Sequence, residues 1–462
     1  MGLTRRSFLG AGAGAALVAG SATAGMRHGR RVLDSGEARN LIFMVADGMS
    51  IGALTLADVF SHMRHGRGTW WVECWNREKV RRAACATWAA NSLVTDSAAA
   101  ATTWSIGERV NNGAICVTPD GRSPTPLFVR AKVAGKSTGL ITTTRVTHAT
   151  PAGFIANVPS RNMEREIAEQ MVLRGVDVVL GGGARYFPDE LLAGHDDVRV
   201  IRTRDELAAL GDAPGRVLGL FASQHMAYEL DRVADGERQP SLAEMTRAGL
   251  ARLATSPDGF VVQIEGGRVD HAAHANDAAA LMQDMLAFDE ALGAVLAFID
   301  SRDDTLLIVT TDHANANPGL SVYGGAGQRG MDRLSLATRS FEWILSQRRG
   351  LSDPTDAGAM AEIVREGTGV GLNEAEREIL GRALKGERVD PHEPASALPL
   401  AMGSLVANHF GIAFASGEHT ADFVEVLAVG PGAERLPRMT DLSGVHRVAC
   451  EAIGLGVTPA QR

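Results

Sequence analysis

Three stretches of the chain stay apolar for the length of a buried strand and end on acidic residues. Asn40 to Asp47 reads NLIFMVAD, Phe260 to Glu265 reads FVVQIE, and Thr305 to His313 reads TLLIVTTDH. Continuous rather than alternating apolarity predicts strands covered on both faces. Arg161 to Arg174, Ser241 to Thr255 and the long Asn276 to Asp300 carry the spacing of amphipathic helices. Strands alternating with helices predict an α/β sandwich around a largely parallel sheet, and such sheets bind ligands beyond the carboxyl ends of their strands. Asp47, Glu265 and Asp312 then converge on one edge. One carboxylate in that position reads as a helix cap or a polar strand end; three together read as a site.

Histidines extend the pattern. Asp270 and His274 stand at i and i+4 on one face of an emerging helix, where both reach one ion. Asp312 and His313 pair a carboxylate with an imidazole, and His419 lies in a turn before the last apolar run, Phe423 to Val429. Mixed Asp/His ligation without thiolate favours zinc or a similar borderline ion, whereas carboxylate with hydroxyl favours magnesium. His195, His225, His392, His409 and His446 read as ordinary core or surface residues, and His28, His62 and His65 as loop residues. Ser97 opens the alanine-rich segment Ser97 to Thr102, at or near a helix N-terminus where an anion is stabilised. In isolation that segment reads as a capped helix start, with Asp96 or Ser97 as the cap.

Composition narrows the class. Of 462 residues 45% are hydrophobic and 22% charged, which excludes a disordered chain. A net charge of -8 with no long basic run argues against a nucleic-acid partner. Thr4-Arg5-Arg6-Ser7-Phe8-Leu9, a Gly/Ala run and Ala22-Thr23-Ala24 form a twin-arginine export signal over residues 1–24. The protein is therefore expected in the periplasm or secreted, with no stable membrane span. Cys74, Cys85, Cys116 and Cys450 lack CxxC spacing, so neither a disulfide framework nor a thiolate zinc site is expected. Pairing of Cys74 with Cys85 and free thiols both remain open.

Taken in order, Asp47-Gly48-Met49, Thr95 to Thr102, Thr147-His148-Ala149-Thr150-Pro151, Glu265 to Asp270, Thr311-Asp312-His313 and Glu418-His419-Thr420 resemble the motifs of the alkaline phosphatase family. The resemblance runs from Asn40 to about Gly430. It implies a three-layer α/β/α sandwich with a central mixed, largely parallel sheet, and one catalytic domain over residues 25–462. Asp270, His274 and His419 match the ligands of a first Zn2+, and Asp47, Asp312 and His313 those of a second. Asp47 reaches a third, Mg2+-type site completed by Glu265 and Thr150. Ser97 matches the nucleophile and Arg161 the arginine that grips two phosphate oxygens. The implied reaction is hydrolysis of small-molecule phosphate monoesters through a phosphoserine, by two in-line displacements across metals about 4 Å apart.

Two positions depart from one branch of the family, which has Asp and Lys where this chain has His148 and His271. Thr150 precedes Pro151, which predicts extended backbone and places both His148 and Thr150 toward the third site. Imidazole there shifts preference from magnesium toward Zn2+ or Co2+; holding water near the ion is the alternative role. Residues 318–408 form a helical insertion or cap that shapes substrate access or serves as a packing or homodimer element. Its helices are expected at Leu336 to Arg348, Ala357 to Glu366 and Asn373 to Lys385. Asn315, Asn317 and the Gly-rich Tyr323 to Gly330 are expected as a flexible approach to it. A phosphodiesterase or sulfatase of the same superfamily and a non-catalytic exported metal- or phosphate-binding protein are the competing readings. Ser97 lacks the sulfatase sequence x-Pro-x-Arg, and the presence of both Ser97 and Arg161 argues against the binding protein.

Overall fold

All six residues of the Asn40–Val45 strand are buried, and their side chains alternate between two cores. Leu41, Phe43 and Val45 pack with Trp104, Phe128 and Phe154 on one face, while Ile42 and Met44 join Phe288 and Leu292 on the other. This computed structural model describes residues 37–211, 215–389 and 398–457. The expected export signal, His28 and His392 lie outside them. Among the described residues, ten strands form one sheet, in the spatial order Met439–Asp441, Arg81–Ala86, Val424–Val429, Thr305–Thr310, Asn40–Val45, Phe260–Glu265, Ser137–Arg145, Val178–Gly182, Arg216–Leu220 and Val198–Ile201. Every pairing is parallel except the two made by Val424–Val429, which runs against both neighbours. With helices on both faces this is the expected three-layer sandwich.

Direction and register deliver the site. Val45 lies level with Glu265 and with Thr310, and Thr142 level with Glu265. The residues just beyond these positions, Asp47 and Asp312, therefore emerge at the same edge as Glu265. The antiparallel strand starts where its neighbours end, so His419 reaches that edge by preceding its strand rather than following one.

Helix starts follow the capping residues. Asp96 caps Ser97–Ile106, Ser241 forms a capping box at the start of Leu242–Leu253, and Asp277 caps the 22-residue helix Ala278–Ile299; caps of this kind stabilise a helix by about 1 kcal/mol. The helix expected from Arg161 begins at Glu164, which leaves Arg161 in the preceding turn. Thr150 is not extended: Ala149–Gly153 is a short helix. A proline in the first helical turn lacks an N–H that would have no partner there, so it does not oppose the helix. His62 and His65 belong to the helix Ile51–His65, not to a loop.

The insertion carries helices Gly325–Leu334, Phe341–Arg348, Ala357–Thr368, Glu374–Leu384 and Leu398–Phe410. The Gly-rich stretch expected to be flexible thus supplies a helix. Met331, Ile344, Met360, Leu380 and Phe410 bury their side chains in the same core as Phe288. Asp231 accepts from Ser340 N at 2.9 Å and Oγ at 2.5 Å, and Asp277 accepts from Phe341 N at 2.6 Å, so two carboxylates of the main body hold the start of Phe341–Arg348. All four cysteines are free and buried. Among the described residues, no helix is long and apolar enough to cross a membrane.

Candidate active site

Ser97 is the first residue of its helix and is 1% exposed. Asp96, which caps the helix through Ala99 N at 2.9 Å, also accepts from Gly113 N and Arg161 Nη1, each at 3.0 Å. One carboxylate therefore starts the Ser97 helix and holds the candidate phosphate-gripping arginine. Arg161 Nη2 donates to His148 Nε2 at 3.0 Å. Ser97 Oγ lies 3.2 Å from His313 Nε2.

Beyond Ser97 the structure gathers the expected ligands into three groups. In the outer group, His274 Nε2 lies 3.4 Å from Asp270 Oδ2, and His419 Nε2 3.5 Å from Asp270 Oδ1. The other imidazole nitrogens are tied back, His274 Nδ1 to Gly417 O at 2.7 Å and His419 Nδ1 to Thr95 O at 3.0 Å. Asn315, expected as part of a flexible approach, is buried and donates to Asp270 Oδ1 at 2.7 Å. Asn315 and its neighbour Ala314 pair with His419 and Thr420 as a short antiparallel ladder.

The second group is deeper. His313 Nε2 lies 3.1 Å from Asp312 Oδ2 and 3.8 Å from Asp47 Oδ1, with all three side chains fully buried. The His313 and His419 rings stack at 3.5 Å, joining the two groups. In the third, Asp47, Glu265 and His148 bring ligand atoms within 4.8 Å of one another, and Thr150 Oγ1 donates to Asp47 Oδ2 at 3.4 Å. Glu265 Oε2 accepts from Thr142 at 2.5 Å and Thr144 at 3.4 Å. His271 joins none of the three groups; it lines the cleft and packs 5.5 Å from His148 and 4.4 Å from His225. His225, read from sequence as ordinary, is partnered through both ring nitrogens by Arg145 and does not line the cleft.

The donor set fits cations. Asp47 Oδ1, Glu265 Oε1 and Asp312 Oδ2 are buried without a hydrogen-bond partner, and unpaired buried carboxylates cost several kcal/mol each unless an ion compensates them. Burial first, and then the charges of Asp312, Asp270 and Glu265, raise Asp47 well above the usual carboxylate range. Burial pushes Glu265 up to about 7 despite the hydrogen bond from Thr142. Burial acts on Asp270 in the same direction, but the His274 and His419 imidazoles outweigh it and hold that carboxyl well below its usual range. Burial would lower His274, yet the Asp270 charge raises it to about 9. Burial and then Arg161 lower His148, and burial and then Arg268 lower His271 to about 3. Both imidazoles are thus kept neutral.

A cleft of about 650 Å³ opens onto Ser97, Arg161, Asp270, His274 and His419, with Ser92, Val94 and Glu418 on its rim. It has room for a phosphoryl group and part of an alcohol.

Comparison with known proteins agrees with this geometry. A family model described as alkaline phosphatase matches residues 38–454. Alkaline phosphatase 3 of Bacillus subtilis is 27% identical over 432 residues, covering 90% of this chain and 89% of its own. The tissue-nonspecific alkaline phosphatase of Gallus gallus is 31% identical over 363 residues, covering 66% of this chain and 68% of its own. Among solved structures, the alkaline phosphatase of Thermus thermophilus superposes with a TM-score of 0.84 at 37% identity, over 92% of this chain and 93% of that one.

Proposed function

The chain belongs to the alkaline phosphatase family, and from that premise we propose how its residues carry the reaction. It is a metal-dependent enzyme that hydrolyses phosphate monoesters. One observation carries the residue assignment: Ser97 Oγ stands at a helix start between a buried Asp/His cluster with unpartnered carboxylate oxygens and a guanidinium held by Asp96.

In this reading Asp270, His274 and His419 would hold one zinc ion, Asp47, Asp312 and His313 a second, and Asp47, Glu265 and Thr150 a third ion at the magnesium-type site. When bound, the ions lower the pKa of the serine hydroxyl and of water and neutralise charge on the leaving oxygen. Ser97 Oγ attacks phosphorus, the bond to the leaving alcohol breaks, and a phosphoserine remains. Water then attacks from the vacated side, breaks the bond to Oγ and releases inorganic phosphate. Arg161 grips two phosphoryl oxygens through its planar fork, and Asp96 keeps that fork aimed. The helix start at Ser97 adds fixed positive potential.

His148 stands where a carboxylate would draw magnesium, so the third site favours zinc or cobalt and depends less on magnesium. Strict magnesium activation of metal-stripped enzyme would overturn this. Export by the twin-arginine route to the periplasm or outside completes the proposal, as does a single catalytic domain with the 318–408 insertion built into it.

The test compares turnover of an aryl phosphate monoester, the matching diester and the sulfate at alkaline pH, for zinc-loaded wild type and Ser97→Ala. The expected result is monoester preference in wild type and a loss of at least about a thousandfold in the variant. Preference for the diester, or an active Ser97→Ala, would overturn the assignment.

A further inference from the structure

His271 sits one residue from a ligand, opens on the cleft, and joins no metal group. What it does there is decided by a neighbour behind it. Arg268, 3% exposed, donates through Nη1 to His271 Nδ1 at 2.9 Å. A guanidinium has only donors, so His271 Nδ1 must offer a lone pair, and its ring proton must sit on Nε2. That second nitrogen has no hydrogen-bond partner among the described residues, and His271 lines the cleft.

Arg268 is itself clamped. Its guanidinium lies 3.7 Å over the Tyr228 ring and donates through Nη2 to Glu342 at 2.5 Å. Glu342 belongs to the insertion, in the helix Phe341–Arg348 whose start is tied to the main body by Asp231 and Asp277. Insertion helix, buried guanidinium and cleft imidazole thus form one continuous line.

We propose that Arg268, clamped by Glu342 of the insertion, is a positioning residue that fixes His271 with its proton on Nε2, turned toward the cleft. Both nitrogens of His271 are then committed, one as acceptor from Arg268 and one as an N–H aimed at the substrate. His271 is a donor to phosphoryl oxygen or to water beside it, not a metal ligand. The insertion acquires a role that is neither lid nor packing element: it sets the hydrogen-bond polarity of one wall of the site. The tautomer follows from geometry alone, and only the identity of what the N–H meets rests on the phosphatase reading.

Ring-15N histidine spectra of the full zinc-loaded chain, with His271 assigned by His271→Gln, read the tautomer directly. In wild type the expected signals are an unprotonated Nδ1 and a protonated Nε2. Arg268→Met moves the proton toward Nδ1 and lowers kcat/KM on an aryl phosphate about tenfold, mainly through KM and with weaker inhibition by inorganic phosphate. Arg268→Lys, which keeps a buried donor, recovers part of both. Glu342→Ala, a change at an exposed side chain that leaves the fold intact, shifts the signals the same way with roughly a threefold loss. A wild-type His271 protonated on Nδ1, or imidazole signals unmoved in both Arg268→Met and Glu342→Ala, would overturn the proposal. The expected tautomer in a wild type without turnover would instead overturn the phosphatase reading.

Discussion

The outer and inner ligand groups solve the same problem in opposite ways. Asp270, His274 and His419 are largely held by the protein: the imidazoles bond to backbone carbonyls, the carboxylate accepts from Asn315 and lies 3.4 and 3.5 Å from the two rings, and the two Nε2 atoms converge 3.0 Å apart. Asp47, Glu265 and Asp312 gather negative charge in a dry interior and leave an oxygen each without a partner. The outer group is organised before any ion arrives. The inner group is less well compensated: the His313 imidazole faces Asp312 at 3.1 Å, and Asp47 Oδ1 and Glu265 Oε1 are left for an ion. An ion stabilises the fold by linkage at either group; inside it also offsets repulsion among buried carboxylates.

The largest expected effect tests that difference. Complete chelation lowers unfolding stability by on the order of 5 kcal/mol, and Asp47→Asn reverses the sign of its effect with metal. In metal-free protein the variant raises stability by roughly 1–3 kcal/mol, because it removes a charge that repels its neighbours; in zinc-loaded protein it lowers the melting temperature. A variant that destabilises both forms alike in thermal melts would break the contrast.

A smaller effect separates the groups by pH. Glu265, pushed up to about 7 from an ordinary 4.5, keeps a proton in the fold that the unfolded chain has lost, so metal-free stability falls as pH rises through that interval. His274, raised to about 9 from 6.5, contributes stability that is full below 6.5 and gone once pH passes about 9. In metal-free protein the lowered His148 and His271 add stability as pH rises toward 6.5, so the two contributions are read as differences from wild type in chemical denaturation from pH 4 to 10. Glu265→Gln should remove the first and His274→Gln the second; loss of both in one variant would mean that the groups titrate as a unit.

The smallest effect lies away from both. Arg365 and Glu362 form a pair with side chains 60% and 57% exposed on an outer face of the insertion. Arg365→Ala should change stability by no more than about 0.5 kcal/mol and leave turnover as it was. A loss comparable with that of Arg268→Met would show that the whole insertion, not one line through it, supports the site.

What could be read from sequence divides along the same physical line. Asp47, Glu265 and Asp312 were legible because apolar runs of strand length imply a shared direction, and direction puts their ends together. His419 was legible as a candidate from its turn before the last apolar run, but its grouping with Asp270 and His274 came only from the family resemblance, because nothing local says that its strand runs backwards. The second roles escaped: Asp96 caps a helix and holds Arg161, Asn315 clamps Asp270, and Arg268 reaches Glu342 across 74 positions of chain. Such partnerships join segments whose spacing carries no periodic signal. Thr150 and the stretch after Tyr323 were misjudged because local backbone preference was overruled, at Thr150 by a first-turn position that tolerates proline and at Gly325–Leu334 by packing of Met331 and Leu334 into the core.

The lone reversed strand has a consequence for the order in which the protein is made. A chain synthesised through His313 already contains Asp47, Thr150, Glu265, Asp312 and His313, the full complement of the inner groups. His419 and the strand that anchors its edge arrive more than a hundred residues later. Until then the Thr305–Thr310 strand has an open flank, and the first ion-binding triad is one member short. The last of the proposed ligands to be translated is also the one that stacks on His313, so pairing of Val424–Val429 along Thr305–Thr310 and completion of the proposed metal cluster fall together, late in the life of the nascent chain.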